Sequence, residues 1–281
     1  MQLIDGKSLA NKIHAEVACE VEKLKQEENI VPGLAVILVG DDPASHAYVK
    51  MKAKACEKVG FYSITHNMPD TISQDEIIAT IEMMNNNPRI DGILVQLPLP
   101  AHIDTNKILE VIDPKKDVDG FHPYNVGRLA TNLDGFVPCT PLGVMKMFEE
   151  YDIELEGKDV CVVGASNIVG KPMAALLLNA NATVTITHIY TKDLKAHTSK
   201  ADIVIVGVGV PALIKEDMIK DGAIVIDIGI NRLEDGSLVG DVDFPAVSTK
   251  CSYITPVPGG VGPMTIAMLL ANTLKSAKQR D

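Results

Sequence analysis

The segment Leu34-Ala-Val-Ile-Leu-Val-Gly-Asp-Asp-Pro-Ala-Ser-His-Ala-Tyr-Val-Lys-Met-Lys-Ala-Lys-Ala-Cys-Glu-Lys-Val-Gly60 joins an apolar run to a helical pattern. The run at 34–39 is typical of a buried parallel strand. Asp42 is a typical N-cap, Pro43 suits the first helical position, and Gly60 favours the end of a helix. The segment therefore predicts a strand followed directly by a helix, which is the repeating unit of an α/β fold.

Helical spacing places one charged residue, Lys52, on an apolar face. That face also carries Tyr48, Ala55, Cys56 and Val59. The amine either extends past these neighbours to solvent or lies in a cleft as an acid or base. Taken alone, the spacing favours the solvent-directed amine.

The same alternation continues around this segment. Helices are predicted at about 8–28, 73–84 and 106–112, and strands at 61–66 and 92–97. The β-α order implies a parallel sheet covered by helices on both faces.

Two polar side chains fall at the carboxyl edge of this sheet, where the ligands of parallel sheets bind. Gln96 ends the third strand, and Asp119 follows the next helix. A buried amide needs a hydrogen-bond partner. Gln96 is therefore either a satisfied core residue or a site residue, and its position does not separate the two.

The second half of the chain predicts another domain. Residues 120–140 carry Gly, Pro and Asn without periodicity and are interpreted as a domain junction. Beyond them we predict helices at 140–151, 168–179 and 263–277, strands at 159–163, 183–187, 203–206 and 223–228, and a hairpin at Asp235-Gly236. The fold class is therefore α/β, with two domains and a cleft between them, the second domain being Rossmann-like and dinucleotide-binding. The predicted bounds are 1–125, joined by a C-terminal helix at 264–281, and 139–263.

The segment Val160-Cys-Val-Val-Gly-Ala-Ser-Asn-Ile-Val-Gly-Lys-Pro172 has the strand, glycine turn and helix of a dinucleotide-binding loop. Its spacing departs from GxGxxG, because Ser166 replaces the second glycine and the last glycine comes one residue late. A plain βα turn is the alternative. The further βαβ unit and the glycine turn at 207–211 favour a cofactor site.

The end of the next predicted strand bears on the choice of nicotinamide cofactor. NAD sites usually place a carboxylate there for the ribose 2′-hydroxyl. This chain has none, and His188 and Lys192 could attract a 2′-phosphate. The sequence therefore predicts NADP, with NAD less favoured.

Composition excludes several classes of partner. The net charge of −11, with no Trp, six Tyr and five Phe, argues against a nucleic-acid partner. The five cysteines lack metal-ligand spacing, and no metal site is predicted. The sequence has neither a leader nor an apolar run that could span a membrane, so we expect no membrane partner and a cytoplasmic location.

Five motifs together resemble the bifunctional methylenetetrahydrofolate dehydrogenase/methenyltetrahydrofolate cyclohydrolase family. They occur in order over nearly the whole chain, at 48–52, 91–100, 116–125, 138–141 and 256–265. The last reads Pro256-Val-Pro-Gly-Gly-Val-Gly-Pro-Met-Thr265.

The resemblance implies site residues. By it, Lys52 is the catalytic base, Tyr48 packs on the folate's aminobenzoate ring, Gln96 tunes the lysine, and Asp119 binds the pterin. It implies further folate contacts at Val49, Lys50, Met51, Val95, Leu97, Pro256, Val257, Pro258, Gly259 and Gly260. It implies cofactor contacts at Gly164, Ala165, Ser166 and Ile230, and a homodimer.

This sequence departs from the family at two positions. Members often carry Arg or Ser at the position of Ile189, or Arg at that of Ala165, to bind the 2′-phosphate. In this sequence Lys171 or Lys192 is the alternative candidate for binding the 2′-phosphate.

The implied function is oxidation of 5,10-methylenetetrahydrofolate with NADP+ and hydrolysis of the methenyl product to 10-formyltetrahydrofolate, in one-carbon metabolism that supplies purine biosynthesis. Hydrolysis needs a partly neutral lysine, which burial and neighbouring lysines favour. Lysines 50, 54 and 58 are interpreted as a solvated face, with attraction of the folate's glutamate tail as the alternative. A shikimate-type dehydrogenase and a non-catalytic nucleotide sensor are the competing classes.

Overall fold

The computed structural model describes residues 1–280, which form two compact units. The Lys52 unit comprises 11–128, 134–139 and the chain from 266 onward. The Gly164 unit comprises 1–10, 129–133 and 140–265. Residue 281, the end of the predicted C-terminal helix, lies outside the described residues. No helix within residues 1–280 has the length and apolar content needed to cross a bilayer.

The strands are short and mostly parallel. Their bounds are Gln2–Leu3 (β1), Gly33–Val39 (β2), Tyr62–Met68 (β3), Gly92–Val95 (β4), Asp159–Val163 (β5), Thr183–Thr187 (β6), Ile203–Val206 (β7), Ile224–Asp227 (β8), Asn231–Arg232 (β9), Leu238–Val239 (β10) and Tyr253–Ile254 (β11). The helices are Gly6–Glu28 (α1), Pro43–Val59 (α2), Gln74–Asn85 (α3), Thr105–Val111 (α4), Pro123–Ala130 (α5), Cys139–Glu150 (α6), Gly170–Asn179 (α7), Leu194–Thr198 (α8), Phe244–Val247 (α9) and Val261–Ala277 (α10).

The Lys52 unit is built on a three-stranded parallel sheet in the order β3-β2-β4. All seven residues of β2 are buried, because the strand lies between its two neighbours. One sheet face packs on α3 and α4 through Ile37, Ile81, Ile93 and Ile108. The carboxyl end of β2 leads into α2, and that of β4 leads to Gln96, so both point to the same edge.

Local sequence accounts for the ends of α2. The Asp42 carboxylate accepts a hydrogen bond from Ser45 N at 2.8 Å. Gly60 adopts φ 83°, a left-handed conformation that glycine tolerates. Its N–H donates to the carbonyl oxygens of Cys56 and Glu57 in the last turn of the helix. The predicted capping box at Ser73 and Glu76 is likewise present at the start of α3.

The Gly164 unit contains a six-stranded parallel sheet in the order β1-β11-β8-β7-β5-β6. Its core includes Cys161, Val204, Val225 and Ile254. β9 and β10 form a separate antiparallel pair around Asp235-Gly236, as predicted. The predicted α/β class with parallel sheets is thus confirmed.

Some elements were not predicted. α5 lies inside the segment 120–140, which was expected to have no periodic structure; Pro123 starts it as a first-turn proline. β1 and β11 are two residues each; β1 pairs only with β11, across about the whole chain, and β11 also pairs with β8. Such pairing leaves no local pattern to read.

The end of the chain is anchored in the Lys52 unit by an ion pair. Arg280 donates two hydrogen bonds to the buried Asp91 carboxylate, at 2.9 Å and 2.6 Å. Gly33 N at the start of β2 donates to the same carboxylate at 2.7 Å. Ser276 Oγ donates to Asp91 O at 2.7 Å. Asp91 therefore connects the last residues of the chain to the central strand.

Asp91→Ala is expected to lower the free energy of unfolding by about 3 kcal/mol, because it leaves a guanidinium and a buried N–H without their acceptor. Chemical denaturation would measure the change. Asp134→Ala is the control: it removes an exposed ion pair with Lys275 of α10, which is worth less than about 1 kcal/mol. Equal losses for the two variants would contradict this account.

Candidate functional site

The side chain of Lys52 points into the interior of its own unit and not to solvent. Its side chain lies on α2, and the residue is only 5% exposed. Lys52 Nζ donates to Gln96 Oε1 at 3.1 Å and lies 4.7 Å from the centroid of the Tyr48 ring. The interpretation as an amine directed to solvent is therefore wrong for this residue.

Gln96 is fixed by two hydrogen bonds beyond the end of β4. Its N–H donates to Ile37 O of β2 at 2.9 Å. Its side-chain Nε2 donates to Leu97 O at 2.8 Å, which turns Oε1 toward Lys52. Sequence position left Gln96 as either a core or a site residue; the structure places its oxygen on the lysine.

Burial lowers the pKa of the Lys52 amine, because the charged form loses hydration. The Asp119 carboxylate opposes this shift by favouring the charged form. The neighbouring lysines at 50, 54 and 58 are exposed. Burial is thus the cause of the lowered Lys52 pKa. The sequence also predicted a contribution from the neighbouring lysines, and they are not among the causes of this shift.

Asp119 lies in a tightly bonded turn between α4 and α5. The buried Asp117 carboxylate accepts from Phe121 N at 3.2 Å, His122 N at 2.9 Å and Asn125 Nδ2 at 2.8 Å. These bonds fix the backbone on both sides of Asp119. Burial raises the pKa of the Asp119 carboxyl group, and the Lys52 amine acts in the opposite direction.

Two residues of this site were missed by sequence reasoning. Cys139 lies close enough to Lys52 and Asp119 to affect both pKa values, and its own thiol pKa is raised well above the usual value by burial. Asn272 of α10 donates to Val118 O at 2.8 Å and to Val137 O at 3.0 Å. An asparagine inside the apolar pattern of α10 was the available signal.

The wider predicted folate set divides between the units. Val49 and Val95 are buried, Lys50 and Met51 are exposed, and Leu97 is half-buried; all belong to the Lys52 unit. The segment from Pro256 through Val257, Pro258 and Gly259 to Gly260 belongs to the Gly164 unit and joins β11 to α10.

The loop after β5 has the backbone of a dinucleotide site. Gly164 adopts φ 117°, and a Cβ there would lie 2.8 Å from Gly207 O. A Cβ at Gly170 would overlap Gly164 O, so the late glycine still allows close packing of α7 on the loop. Ser166 Oγ accepts from Val169 N at 3.2 Å and Gly170 N at 3.3 Å. Ser166 thereby shapes the loop that leads into the helix.

The positions linked to cofactor choice lie at the surface. Ile189 is 92% exposed in a turn after β6, where Tyr190 N donates to His188 Nδ1 at 3.3 Å. Lys171 Nζ donates to Asn167 Oδ1 at 2.7 Å, which keeps its amine beside the dinucleotide loop. Lys192 is exposed.

The remaining predicted cofactor positions lie in the same unit. Ala165 is half-buried beside Gly164, and Ile230 is exposed in the loop between β8 and β9. The structure thus groups Gly164, Ala165 and Ser166 in one loop after β5 and places Ile230 after β8, which β7 separates from β5 in the sheet.

Comparison with known proteins covers nearly the whole chain. The catalytic-domain model of tetrahydrofolate dehydrogenase/cyclohydrolase matches residues 4–119, and the NAD(P)-binding-domain model of the same family matches 138–281. The bifunctional protein FolD of Sulfurovum sp. (strain NBC37-1) is 88% identical over 280 residues, which are 100% of each chain.

Solved structures agree with these matches. The bifunctional enzyme FolD, a methylenetetrahydrofolate dehydrogenase/cyclohydrolase from Campylobacter jejuni, is 58% identical, with a TM-score of 0.98 and 100% of each chain covered. The Trypanosoma brucei methylenetetrahydrofolate dehydrogenase-cyclohydrolase, complexed with NADP cofactor and inhibitor, is 39% identical, with a TM-score of 0.95 over 99% of this chain and 97% of that one. The resemblance inferred from the motifs is confirmed: this chain belongs to the tetrahydrofolate dehydrogenase/cyclohydrolase family.

Proposed function

We propose that this chain oxidises 5,10-methylenetetrahydrofolate with NADP+ and hydrolyses the methenyl product to 10-formyltetrahydrofolate, a one-carbon interconversion that supplies purine biosynthesis. Family membership supports both reactions. The observation that carries the proposal is the buried Lys52 amine, hydrogen-bonded to Gln96 and with a lowered pKa. A shikimate-type dehydrogenase would not explain Tyr48, Lys52 and Gln96 together, and a nucleotide sensor would need only the Gly164 unit.

In the hydrolytic step Lys52 is the general base. Its neutral amine donates one N–H to Gln96 Oε1, so the lone pair remains available to accept a proton from the attacking water. The water oxygen bonds to the methenyl carbon as Lys52 takes one of its protons, and the π electrons of the carbon–N5 bond move to N5. When the carbon–N5 bond then breaks, N5 takes the proton from the Lys52 ammonium, and the remaining hydroxyl proton leaves to solvent as the formyl C=O forms, so one proton is released overall. Lys52 thereby ends in the form in which it began.

Tyr48 and Asp119 are assigned to binding. The Tyr48 ring lies one helical turn before Lys52 and offers a flat apolar surface for the aminobenzoate ring. The Asp119 carboxylate can accept the N–H groups of a pterin. We assign folate binding to 1–125 and the last helix, with 256–260 contributing, and cofactor binding to 139–263.

The residues of the Gly164 loop fit NADP. The glycine turn and the close approach of α7 suit a dinucleotide, and the missing carboxylate directly after β6 suits one with a 2′-phosphate. When the cofactor is bound, its nicotinamide would be the acceptor of the hydride from the bridging methylene carbon. The chain's own residues bind and orient the two reactants.

The activity test uses purified protein with 5,10-methylenetetrahydrofolate and either NADP+ or NAD+, followed by reduced-cofactor absorbance, with methenyl and formyl products separated by chromatography. Absence of reduced cofactor with both dinucleotides would overturn the proposal. We expect the higher kcat/KM with NADP+; an equal or higher value with NAD+ would contradict the cofactor assignment.

Lysine variants locate the source of that preference. Lys171→Ala or Lys192→Ala is expected to lower kcat/KM for NADP+ by roughly tenfold and to leave the value for NAD+ unchanged, because a charged hydrogen bond to phosphate is worth roughly 1.5–3 kcal/mol. Lys195→Ala, which removes a surface pair with Asp217, is the matched control. Parallel losses with both cofactors would contradict a phosphate contact.

We further infer a homodimer in the cytoplasm. β6 ends the six-stranded sheet, and an open edge with an exposed Ile186 favours association. Five free cysteines suit a reducing compartment. Sedimentation equilibrium giving the mass of one chain would contradict the dimer, and cell fractionation tests the location.

A further inference from the structure

Two carboxylates lie buried beneath the loops that follow β7 and β8. Asp241 is 0% exposed; its Oδ2 accepts from Val208 N at 2.6 Å and from Gly209 N at 3.0 Å. Its Oδ1 accepts from Asn231 Nδ2 at 2.9 Å. One side chain therefore bonds to two separate loops, 207–211 and 229–231.

The second carboxylate fixes the first. Asp227 Oδ1 accepts from Asp241 N at 3.0 Å and Gly229 N at 2.9 Å, and its Oδ2 accepts from Val242 N at 2.9 Å. Asp227 thus sets the backbone that carries Asp241. In each of these bonds a carboxyl oxygen is the acceptor, and burial raises the pKa of Asp227 to about 6.

Two glycines make room for this pair. A Cβ at Gly229 would overlap the Asp241 carboxylate, and a Cβ at Gly240 would overlap that of Asp227. Since neither glycine has a positive φ, space and not backbone conformation explains why glycine occupies both positions. The chain thus accommodates two buried carboxyl groups side by side at this position.

The bonded loops border the dinucleotide site. Gly207 O lies against Gly164, where it leaves no space for a Cβ. Asn231 directly follows Ile230, one of the predicted cofactor contacts. A shift of the 207–211 turn would therefore change the space available beside the Gly164 loop.

We propose that Asp241 is a positioning residue for dinucleotide binding: its carboxylate sets loops 207–211 and 229–231 against the Gly164 loop, and Asp227 sets Asp241. The inference rests on the proposed use of NADP+. Asp241 belongs to the Gly164 unit, whereas Lys52 and Gln96 belong to the Lys52 unit, so we expect loss of Asp241 to affect the cofactor-dependent reaction and not hydrolysis.

The experiment compares cofactor affinity with methenyl hydrolysis, which needs no dinucleotide. In Asp241→Ala the Kd for NADP+, measured by calorimetry, is expected to rise roughly 10²-fold, because small displacements of positioning groups have effects of that size. The rate of 5,10-methenyltetrahydrofolate hydrolysis is expected to stay within about twofold of the rate of the unmutated chain. A change of that size is much smaller than the tenfold change that corresponds to about 1.4 kcal/mol. Asp243→Ala, which removes a surface carboxylate paired with Lys215, is the matched control.

A rescue variant separates positioning from general damage. In the double variant Asp241→Asn with Asn231→Asp, the amide oxygen can still accept from Val208 and Gly209, and the amide nitrogen can donate to the new carboxylate. The Kd for NADP+ is expected to return to within about threefold of the unmutated value, since each bond lost in Asp241→Ala has a replacement. If Asp241→Ala does not fold, Asp241→Asn alone and this double variant give the same comparison.

Three results decide the matter. Unchanged NADP+ affinity in the folded single variant overturns the inference, as does equal loss of hydrolysis and cofactor affinity. A folded double variant that binds as weakly as the single one also overturns it. An unmutated chain that produces no reduced cofactor refutes the proposed function instead, which distinguishes the two failures.

Discussion

Lys52→Met is expected to lower the rate of 5,10-methenyltetrahydrofolate hydrolysis by roughly 10²–10⁴-fold, the usual contribution of a general base. Methionine has a similar length and is apolar, so it can occupy the same buried space beside Tyr48. Loss of the amine without loss of packing isolates its chemical role. Steady-state hydrolysis in the absence of dinucleotide measures the change.

Two controls accompany the Lys52 variant. Lys54→Met lies on the same helix but is exposed, and its hydrolysis rate is expected to match that of the unmutated chain. NADP+ affinity in Lys52→Met is expected to stay within about twofold, because the dinucleotide loop belongs to the other unit. Hydrolysis by Lys52→Met at more than about a tenth of the original rate would refute the general-base assignment.

Asp119→Asn is expected to have two separable effects. Folate affinity should fall roughly 10–100-fold, because a charged hydrogen bond contributes roughly 1.5–3 kcal/mol. The carboxylate also raises the pKa of Lys52, against the larger lowering caused by burial. Its removal therefore lowers that pKa further, and the rising limb of the pH–rate profile for hydrolysis should move to lower pH.

The direction of the pH shift is the sharper test. Hydrolysis requires neutral Lys52, so its rate rises with pH up to the pKa of the amine. A binding study gives the affinity of folate, and a pH profile of kcat gives the ionisation in the bound complex. Asp75→Asn, an exposed position on α3 of the same unit, should change neither. A shift of the limb to higher pH, or unchanged folate affinity, would contradict the corresponding role.

Local sequence predicted those elements whose cause is local. The ends of α2 follow from Asp42 and Gly60, which act within one turn of the helix. β5, β6 and β7 match their predicted bounds because each is a short apolar or β-branched run. β1 was missed because its two residues become a strand only through β11, about 250 positions away, and β11 was missed because its two residues depend on the partners β1 and β8.

The candidate sites show the same division. Motif resemblance named Lys52, Gln96 and Asp119 and led to the family, which the comparisons confirm; the roles of these residues stay predictions. Nothing in the sequence indicated that Asp227 and Asp241 form a pair, because their bonds run to backbone N–H groups of other loops. Such bonds depend on how the loops pack and not on residue type alone.

The sequence by itself determined the α/β order, the helix that carries Lys52, the face of that helix on which it lies, and the family. Only the tertiary structure decided whether the amine reaches solvent. Lys52 is buried because Gln96 beyond β4 and the turn at Asp119, which lie 44 and 67 residues away, are brought to it. Desolvation lowers the pKa of an amine only when such distant segments exclude water, and no spacing along one helix can report that.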